Sequence, residues 1–375
     1  MIWFMLIASL ISALVSAYVG WRMHLPNLAI KRLVWGYLFV VWLLSTFAMS
    51  LRLFGIINDA TDILAWFVYL NMGFFSLLSI AYVMIDIFHL FTQKIKPNPE
   101  RRQFMSSTVS LGVLSGVGIT TGLGFEQAVG GAIIKEVQVP LGNVPVPLQK
   151  LKIVQFTDLH IGPMIKKEYV ETLVQQMNAL DADMIVMTGD LVDGSVARLK
   201  HDVAPLARLK AKYGKFFVTG NHEYYSGAED WIAEMQRLGF IVLLNEHQLI
   251  EVDGAKLLMA GVTDYRADRH LASHQTSPKK AMENAPDADV KILLAHQPKS
   301  IFEAAEVGFD LQISGHTHGG QYYPWNFIAK MANPYIKGLH LHDDKTWIYV
   351  SPGTGYWGPP IRLGNEPEIT LIKLV

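Results

Sequence analysis

Three apolar stretches, at about residues 2–19, 33–49 and 63–85, crowd the first 125 residues of this 375-residue chain. Each is close to the roughly 17 to 25 residues that a membrane-crossing helix requires. A backbone inside hydrocarbon must satisfy its own hydrogen bonds, so such segments are confined to helices. A weaker stretch over about 105–125 is rich in Ser, Gly and Thr and reads as a fourth span, or as a linker or amphipathic surface segment. With 51% hydrophobic and 17% charged residues overall, the chain reads as an α-helical transmembrane bundle joined to a soluble domain. The third span can end at Ile85, which places Asp86 and His89 at the interface, and Trp21, Trp35 and Trp66 read as interfacial anchors. Four spans with no repeat and no evident charge pair give no support to a transporter.

Loop charge sets the expected orientation. Arg22, Lys31 and Arg32 follow the first span, and Lys94, Lys96, Arg101 and Arg102 precede the fourth, whereas Arg52 in the middle loop faces Asp59 and Asp62. Basic loops stay in the cytoplasm, so a multi-pass protein of the inner (cytoplasmic) membrane is expected, its N-terminus outside and everything beyond residue 125 on the extracytoplasmic face. Arg101-Arg102-Gln103-Phe104-Met105, ahead of a mildly apolar segment, resembles an internal twin-arginine export signal. No small-residue cleavage site stands out near Ala128 to Ala132, so the domain is expected to stay anchored.

Beyond residue 150 the pattern changes to β-forming runs alternating with helical ones. Strands are expected near 151–156, 184–187, 216–218, 241–244, 256–260, 290–294, 311–314 and 347–350, and helices near 166–180, 203–212, 228–238 and 300–305, which describes an α/β domain. Residues 126–150, with Pro140, Pro145 and Pro147, read as an extended lead-in that adds an edge strand. The runs repeatedly end in Asp, Asn or His: Asp158-Leu159-His160, Gly189-Asp190-Leu191-Val192-Asp193, Gly220-Asn221-His222-Glu223, His296, and Gly315-His316-Thr317-His318. Alone, Asp158 or Asp190 could cap a helix, Asn221 could fill a turn and His296 could be an interior histidine; their shared placement at strand ends is what those readings leave unexplained. A donor set of this kind suits two divalent cations about 3.5 to 4 Å apart, whose repulsion a carboxylate between them offsets, and Asp190 is the candidate bridge. Imidazole with carboxylate suits manganese, iron, zinc or cobalt, and the lack of any cysteine excludes a thiolate-rich zinc site.

These ordered blocks resemble the calcineurin-like metallophosphoesterase superfamily, with its D-x-H, G-D-x-x-D, G-N-H-[ED], lone His and G-H-x-H segments. The resemblance runs from about Leu151 to the C-terminus. Gly315-His316-Thr317-His318-Gly319-Gly320-Gln321, Leu293-Leu294-Ala295-His296-Gln297-Pro298 and the tail Pro367-Glu368-Ile369-Thr370-Leu371-Ile372 are similar to a bacterial membrane-anchored branch. It implies a four-layer sandwich, two mixed sheets with helices outside. It also implies Asp158, His160 and His318 on one metal, Asn221, His296 and His316 on the other, and Asp190 on both. His222 stays unliganded beside the substrate, where it can protonate the leaving oxygen, while metal-bound hydroxide attacks phosphorus in line. Asp193 and Glu223 are expected to support rather than to ligate. His201, His247, His270, His274, His340 and His342 lack such company and read as surface or structural.

The resemblance therefore implies an enzyme, a metal-dependent hydrolase of a phosphodiester, phosphomonoester or pyrophosphate. The rival is a catalytically silent membrane scaffold on the same fold, which lost ligands would favour, and none is missing. The soluble part carries more acids than bases and no Lys/Arg run, which argues against long nucleic acid as partner. Tyr322-Tyr323-Pro324-Trp325-Asn326-Phe327-Ile328 and Tyr356-Trp357 either hold a lipid chain or touch the bilayer, or else pack on one another. Arg362 either reaches the substrate phosphate or braces a turn.

Overall fold

A computed structural model describes residues 2–25, 27–54, 56–92 and 99–375. Lys94 and Lys96 of the basic loop lie outside the described residues. The chain forms two compact units, Met1–Glu126 with Gly358–Ile361, and Gln127–Trp357 with Arg362–Val375.

In the first unit are four long helices, α1 (Ile2–Arg22), α2 (Leu28–Leu53), α3 (Asp59–Thr92) and α4 (Pro99–Val129). Each contains a window long and apolar enough to cross a membrane: Met5–Arg22, Leu28–Leu51, Asp59–Phe91 and Ser106–Val129. The Ser- and Gly-rich stretch is thus continuous helix rather than linker. Within it Thr120 Oγ1 donates to the Gly116 carbonyl at 2.8 Å, and Ser110 Oγ accepts from the His24 N–H at 3.2 Å. The Arg101-Arg102 pair falls in the opening turns of α4. Helix α3 continues past Ile85 through Asp86 and His89 to Thr92. Asp86 is no bare interfacial acid, because Arg22 pairs with it and Tyr18 Oη donates to its Oδ2 at 2.6 Å. This α1–α3 contact is a partly exposed charge pair.

In the second unit the described residues form twelve strands in two six-stranded mixed sheets. The first is ordered β1-β12-β2-β3-β4-β5, where β1 is Ile133–Val139, β2 Ile153–Phe156, β3 Met184–Met187, β4 Lys215–Phe217, β5 Ile241–Val242 and β12 Glu368–Leu374. The second is ordered β10-β11-β9-β8-β7-β6, where β6 is Glu246–Val252, β7 Ala255–Gly261, β8 Val290–Leu294, β9 Leu311–Ser314, β10 Gly338–Leu341 and β11 Trp347–Val350. The lead-in supplies β1, which pairs in parallel with β12 from Ile133↔Glu368 to Val139↔Leu374, and a one-turn helix α5 (Val146–Gln149).

The period-2 alternation of each strand builds the layers. Ile153, Met184, Val186 and Phe216 face Leu257, Met259, Ile292 and Ile313 in a core between the sheets. Val154, Phe156, Ile185 and Met187 point outward onto α6 (Lys167–Asn178), α7 (Val196–Val203) and α9 (Ala228–Arg237) through Leu173, Met177, Leu199 and Trp231. On the far side Ala260, Leu293 and Ala295 meet Ala281 and Ala304 of α10 (Pro278–Ala281) and α11 (Ile301–Val307). With both faces covered, central strands read as continuous apolar runs. This is the expected four-layer sandwich. The helix expected at 203–212 is instead the end of α7 and a 3₁₀ turn, Ala204–Arg208, because Pro205 has no N–H to continue an α-helical ladder. Strands β6, β10 and β12 were not among those expected; β6 and β10, on the two edges of the second sheet, are partly exposed and lack a strong apolar run.

Candidate metal centre

The residues singled out at strand ends follow the carboxyl ends of β2, β3, β4, β8 and β9, so parallel strands deliver them to one edge of the sandwich. The delivery is sterically tight. Asp158, His160, Asp190, His316 and His318 all have positive φ, between 50° and 74°. Non-glycine residues rarely adopt that conformation, and its clustering marks a place where the surrounding fold holds a strained backbone. The glycines beside them serve close approach: a Cβ on Gly315 would lie 2.1 Å from Asp158 Oδ2, and one on Gly220 2.3 Å from Asp190 Oδ1.

Two triads converge. Asp158, His160 and His318 form one, with His160 Nε2 and His318 Nε2 3.1 Å apart and Asp158 Oδ1 3.6 Å from His318 Nε2. Asp190, His296 and His316 form the other, with His296 Nε2 3.1 Å from both Asp190 Oδ2 and His316 Nδ1. Asp190 Oδ2 also lies 3.9 Å from His160 Nε2, so this one oxygen faces both triads. Asn221 begins the short helix α8 (Asn221–Ser226), and its Oδ1 is shielded from solvent without a hydrogen-bond partner among the described residues. Leaving a buried carbonyl oxygen unpaired is costly, and a cation ligated there removes the cost. His296 Nδ1 donates to the Thr188 carbonyl at 2.8 Å, which leaves its Nε2 lone pair turned inward.

Charge in the pocket is unresolved without cations. Burial favours neutral imidazole, yet Asp190, Asp158 and Asp264 push His296 up to about 10. Burial and the His296 charge drive His316 down to about 3, and burial with Arg362 holds His318 well below its usual range. Burial pushes Asp158 up. Asp190 stays well below the carboxylate range because His296 and His222 outweigh its own burial. Two divalent ions would satisfy the acids and the lone pairs together, so the donor set fits a dinuclear centre.

His222 stands outside both triads. Its Nδ1 hydrogen-bonds Asp193, its Nε2 is 3.9 Å from Asp190 Oδ2, and its backbone N–H donates to Asp190 Oδ1 at 2.9 Å. Asp193 also reaches His160 Nδ1 at 3.4 Å, so one carboxylate orients both rings. Glu223 is buried, and its carboxylate accepts from the N–H groups of Asp190 (2.9 Å), Leu191 (2.8 Å) and Gly220 (2.6 Å). The choice left open for Arg362 falls to bracing. Fully buried, it donates to the carbonyls of His318, Pro352 and Gly355, and its Nη2 lies 2.9 Å from His318 Nδ1. Histidines 247, 274, 340 and 342 bond to Ala281, Tyr224, Lys337 and Tyr335, away from the triads.

Sequence reasoning passed over two neighbours, Asp264 and Tyr225, and named Trp357 without placing it beside His222. Asp264, just beyond β7, is buried and accepts from Gln297 Nε2 at 2.8 Å; an acid just past a strand end was the available signal. Tyr225 and Trp357 flank His222 with ring centroids at 5.2 and 5.7 Å, and both are more than half exposed. Gln321 secures Trp357 through both amide atoms, accepting from its N–H at 2.9 Å and donating to its carbonyl at 3.1 Å.

Residues 151–320 match the calcineurin-like phosphoesterase family. A protein of Helicobacter pylori strain J99, described as an uncharacterized metallophosphoesterase, is 35% identical over 300 residues, 79% of each chain. A counterpart in H. pylori strain 26695 is 38% identical over 253 residues, 67% of this chain and 66% of that one. A cattle protein described as a transmembrane protein with metallophosphoesterase domain is 39% identical over 251 residues, 64% of this chain. The match spans only 56% of the cattle protein's own length.

Proposed function

The chain belongs to the calcineurin-like metallophosphoesterases, and from that premise we propose that it is a membrane-anchored phosphohydrolase acting on a phosphoester or pyrophosphate carried by a lipid. The observation that carries the reading is the pair of triads meeting at one oxygen of Asp190. Asp158, His160 and His318 would hold one cation, and Asn221, His296 and His316 the other, with Asp190 between them. When bound, such cations acidify water and neutralise charge on phosphoryl oxygens. His222, oriented by Asp193, donates a proton to the leaving oxygen, and its imidazole is the nearest described ring to Asp190 that neither triad uses. Tyr225 and Trp357 wall the same approach with aromatic surface, which suits a leaving group that is not a bare ion.

Four apolar helices support anchoring, and the basic loops with Arg101-Arg102 support an extracytoplasmic catalytic unit at the cytoplasmic membrane. A reporter fused after residue 130 that works only in the cytoplasm would reverse that orientation.

The test is turnover by the full chain in detergent with Mn²⁺, Zn²⁺ or Co²⁺, against soluble diesters, monoesters and lipid head-group pyrophosphates. Hydrolysis should require metal, and His222→Ala should lower kcat about 10² to 10⁴-fold while two metals per chain are retained. Turnover of no substrate in the panel under any metal would leave the scaffold reading in its place.

A further inference from the structure

Directly after the Gly315–Gln321 loop lies helix α12 (Trp325–Ala332), and its amphipathicity is inverted. An ordinary surface helix turns its apolar stripe to the core and its polar face to water. Here the polar position Asn326 is the one pressed against the metal loop: a Cβ on Gly320 would sit 2.2 Å from Asn326 Cα, so the two backbones touch. The apolar residues face away. Phe327 is 60% exposed, Ile328 55% and Met331 88%, with Trp325 and Tyr323 beside them, and no residue of α12 is buried.

We propose that α12 is an interfacial helix that inserts Phe327, Ile328 and Met331 into the surface of a lipid bilayer. The inference deepens the reading of a lipid-linked substrate and rests on it for its purpose, though its geometry stands without it. Three observations select a bilayer as the occupant. The last membrane-crossing window ends at Val129 and β1 begins at Ile133, so three residues, spanning roughly 10 Å when extended, tether this unit to the end of a span. A single two-turn helix offers far fewer side chains than the roughly 20 to 30 per side of a standard protein interface. Lys330, exposed on the same helix, adds positive charge beside the apolar residues, which anionic head groups attract. Because Gly320 and Asn326 are in backbone contact, a helix lying in the head-group layer holds the His316–His318 loop at the depth of lipid phosphates.

The absence of cysteine makes the depth measurable. In the full chain reconstituted into phosphatidylcholine/phosphatidylglycerol vesicles, Met331→Cys carries a nitroxide whose collisions with O₂ and with a water-soluble nickel chelate are compared, and Lys279→Cys on α10 is the aqueous control. The label at 331 should favour O₂ and the one at 279 the nickel reagent. A label at 331 that favours nickel as at 279, or one shielded from both reagents by a protein partner such as a second copy, overturns the proposal. This readout needs no catalysis, so a failed function and a failed insertion are separable. The double variant F327S/M331S should also raise KM for a vesicle-borne substrate at least about tenfold while leaving kcat on a soluble diester unchanged. Equal losses on both substrates count against insertion.

Discussion

The helical unit and the α/β unit dispose of their polar side chains in opposite ways. In the helices, several hydroxyls and amides fold back on their own backbone, although Ser9–Thr46 and Tyr37–Asn71 cross between helices: Ser45 donates to the Val41 carbonyl, Ser79 to Phe75, and Asn71 to Phe67, each four residues earlier. In the α/β unit the partners are distant in sequence: Gln155 donates to the Ser314 carbonyl, the Thr157 N–H to Thr354, and the His316 N–H to Asp158. A polar group satisfied within one turn costs little and is free to do nothing else. One satisfied across 158 positions exists only when the whole fold is present, so it can be held in a geometry that local forces would not choose. The five ligand candidates with positive φ are such cases, and they show where chemistry resides.

The contrast breaks hardest at Asp190, whose Oδ2 faces both triads. Asp190→Asn removes the charge that offsets two cations, and turnover should fall by on the order of 10³-fold, about 4 kcal/mol, with less metal retained per chain on elemental analysis. Next in size is Glu223, whose carboxylate receives three buried N–H donors. Glu223→Ala strands donors worth about 1–3 kcal/mol each and should weaken metal affinity about 10- to 100-fold. A metal titration followed by activity reads the second effect, and Glu223→Gln, which keeps an acceptor, should recover part of it. An unchanged metal affinity in Glu223→Ala would mean that Glu223 only fastens the fold.

Among the long-range contacts in the helices, Asp86 carries charge, paired with Arg22 and Tyr18 across α1 and α3. It is the one described polar contact there that resembles the long-range kind of the other unit and joins oppositely charged side chains. Asp86→Asn should lower thermal stability in detergent, because the Arg22 guanidinium loses its counter-charge, yet leave hydrolysis of a soluble diester within about twofold, below the tenfold that 1.36 kcal/mol produces. A larger catalytic loss would give the helices a part in the chemistry.

What could be read in advance follows the same division. Local patterns were legible: apolar runs for the helices, β-runs closing on Asp, Asn or His, and Pro-rich spacing between β1 and β2. The convergence of the candidate donors was legible because each sits just past a strand end. Contacts that bind across the fold were not. The Arg22–Asp86 pair joins helices whose relative rotation no single segment encodes. Arg362 was left between two roles because its partners, the carbonyls of His318, Pro352 and Gly355, meet it only through the closing segment. The expected helix at 203–212 failed on one residue, Pro205, whose missing N–H outweighs the favourable composition around it.

The smallest expected effect tests the local end of the contrast. Ser79 Oγ donates to the Phe75 carbonyl at 2.6 Å, but that carbonyl already has its own helical N–H partner, so the side-chain bond is surplus. Ser79→Ala should therefore shift stability by no more than about 0.6 kcal/mol, the average for side-chain bonds within membranes, and leave turnover untouched. Thr157→Val removes one hydroxyl of comparable strength in the α/β unit, but that hydroxyl reaches the Gly189 carbonyl at 3.2 Å, 32 positions away, as well as Asp158 Oδ2 at 2.7 Å. If polar groups differ by the reach of their partners rather than by their chemistry, this second change lowers metal affinity measurably while the first does not. Equal, negligible effects at both positions would reduce the contrast to one of composition.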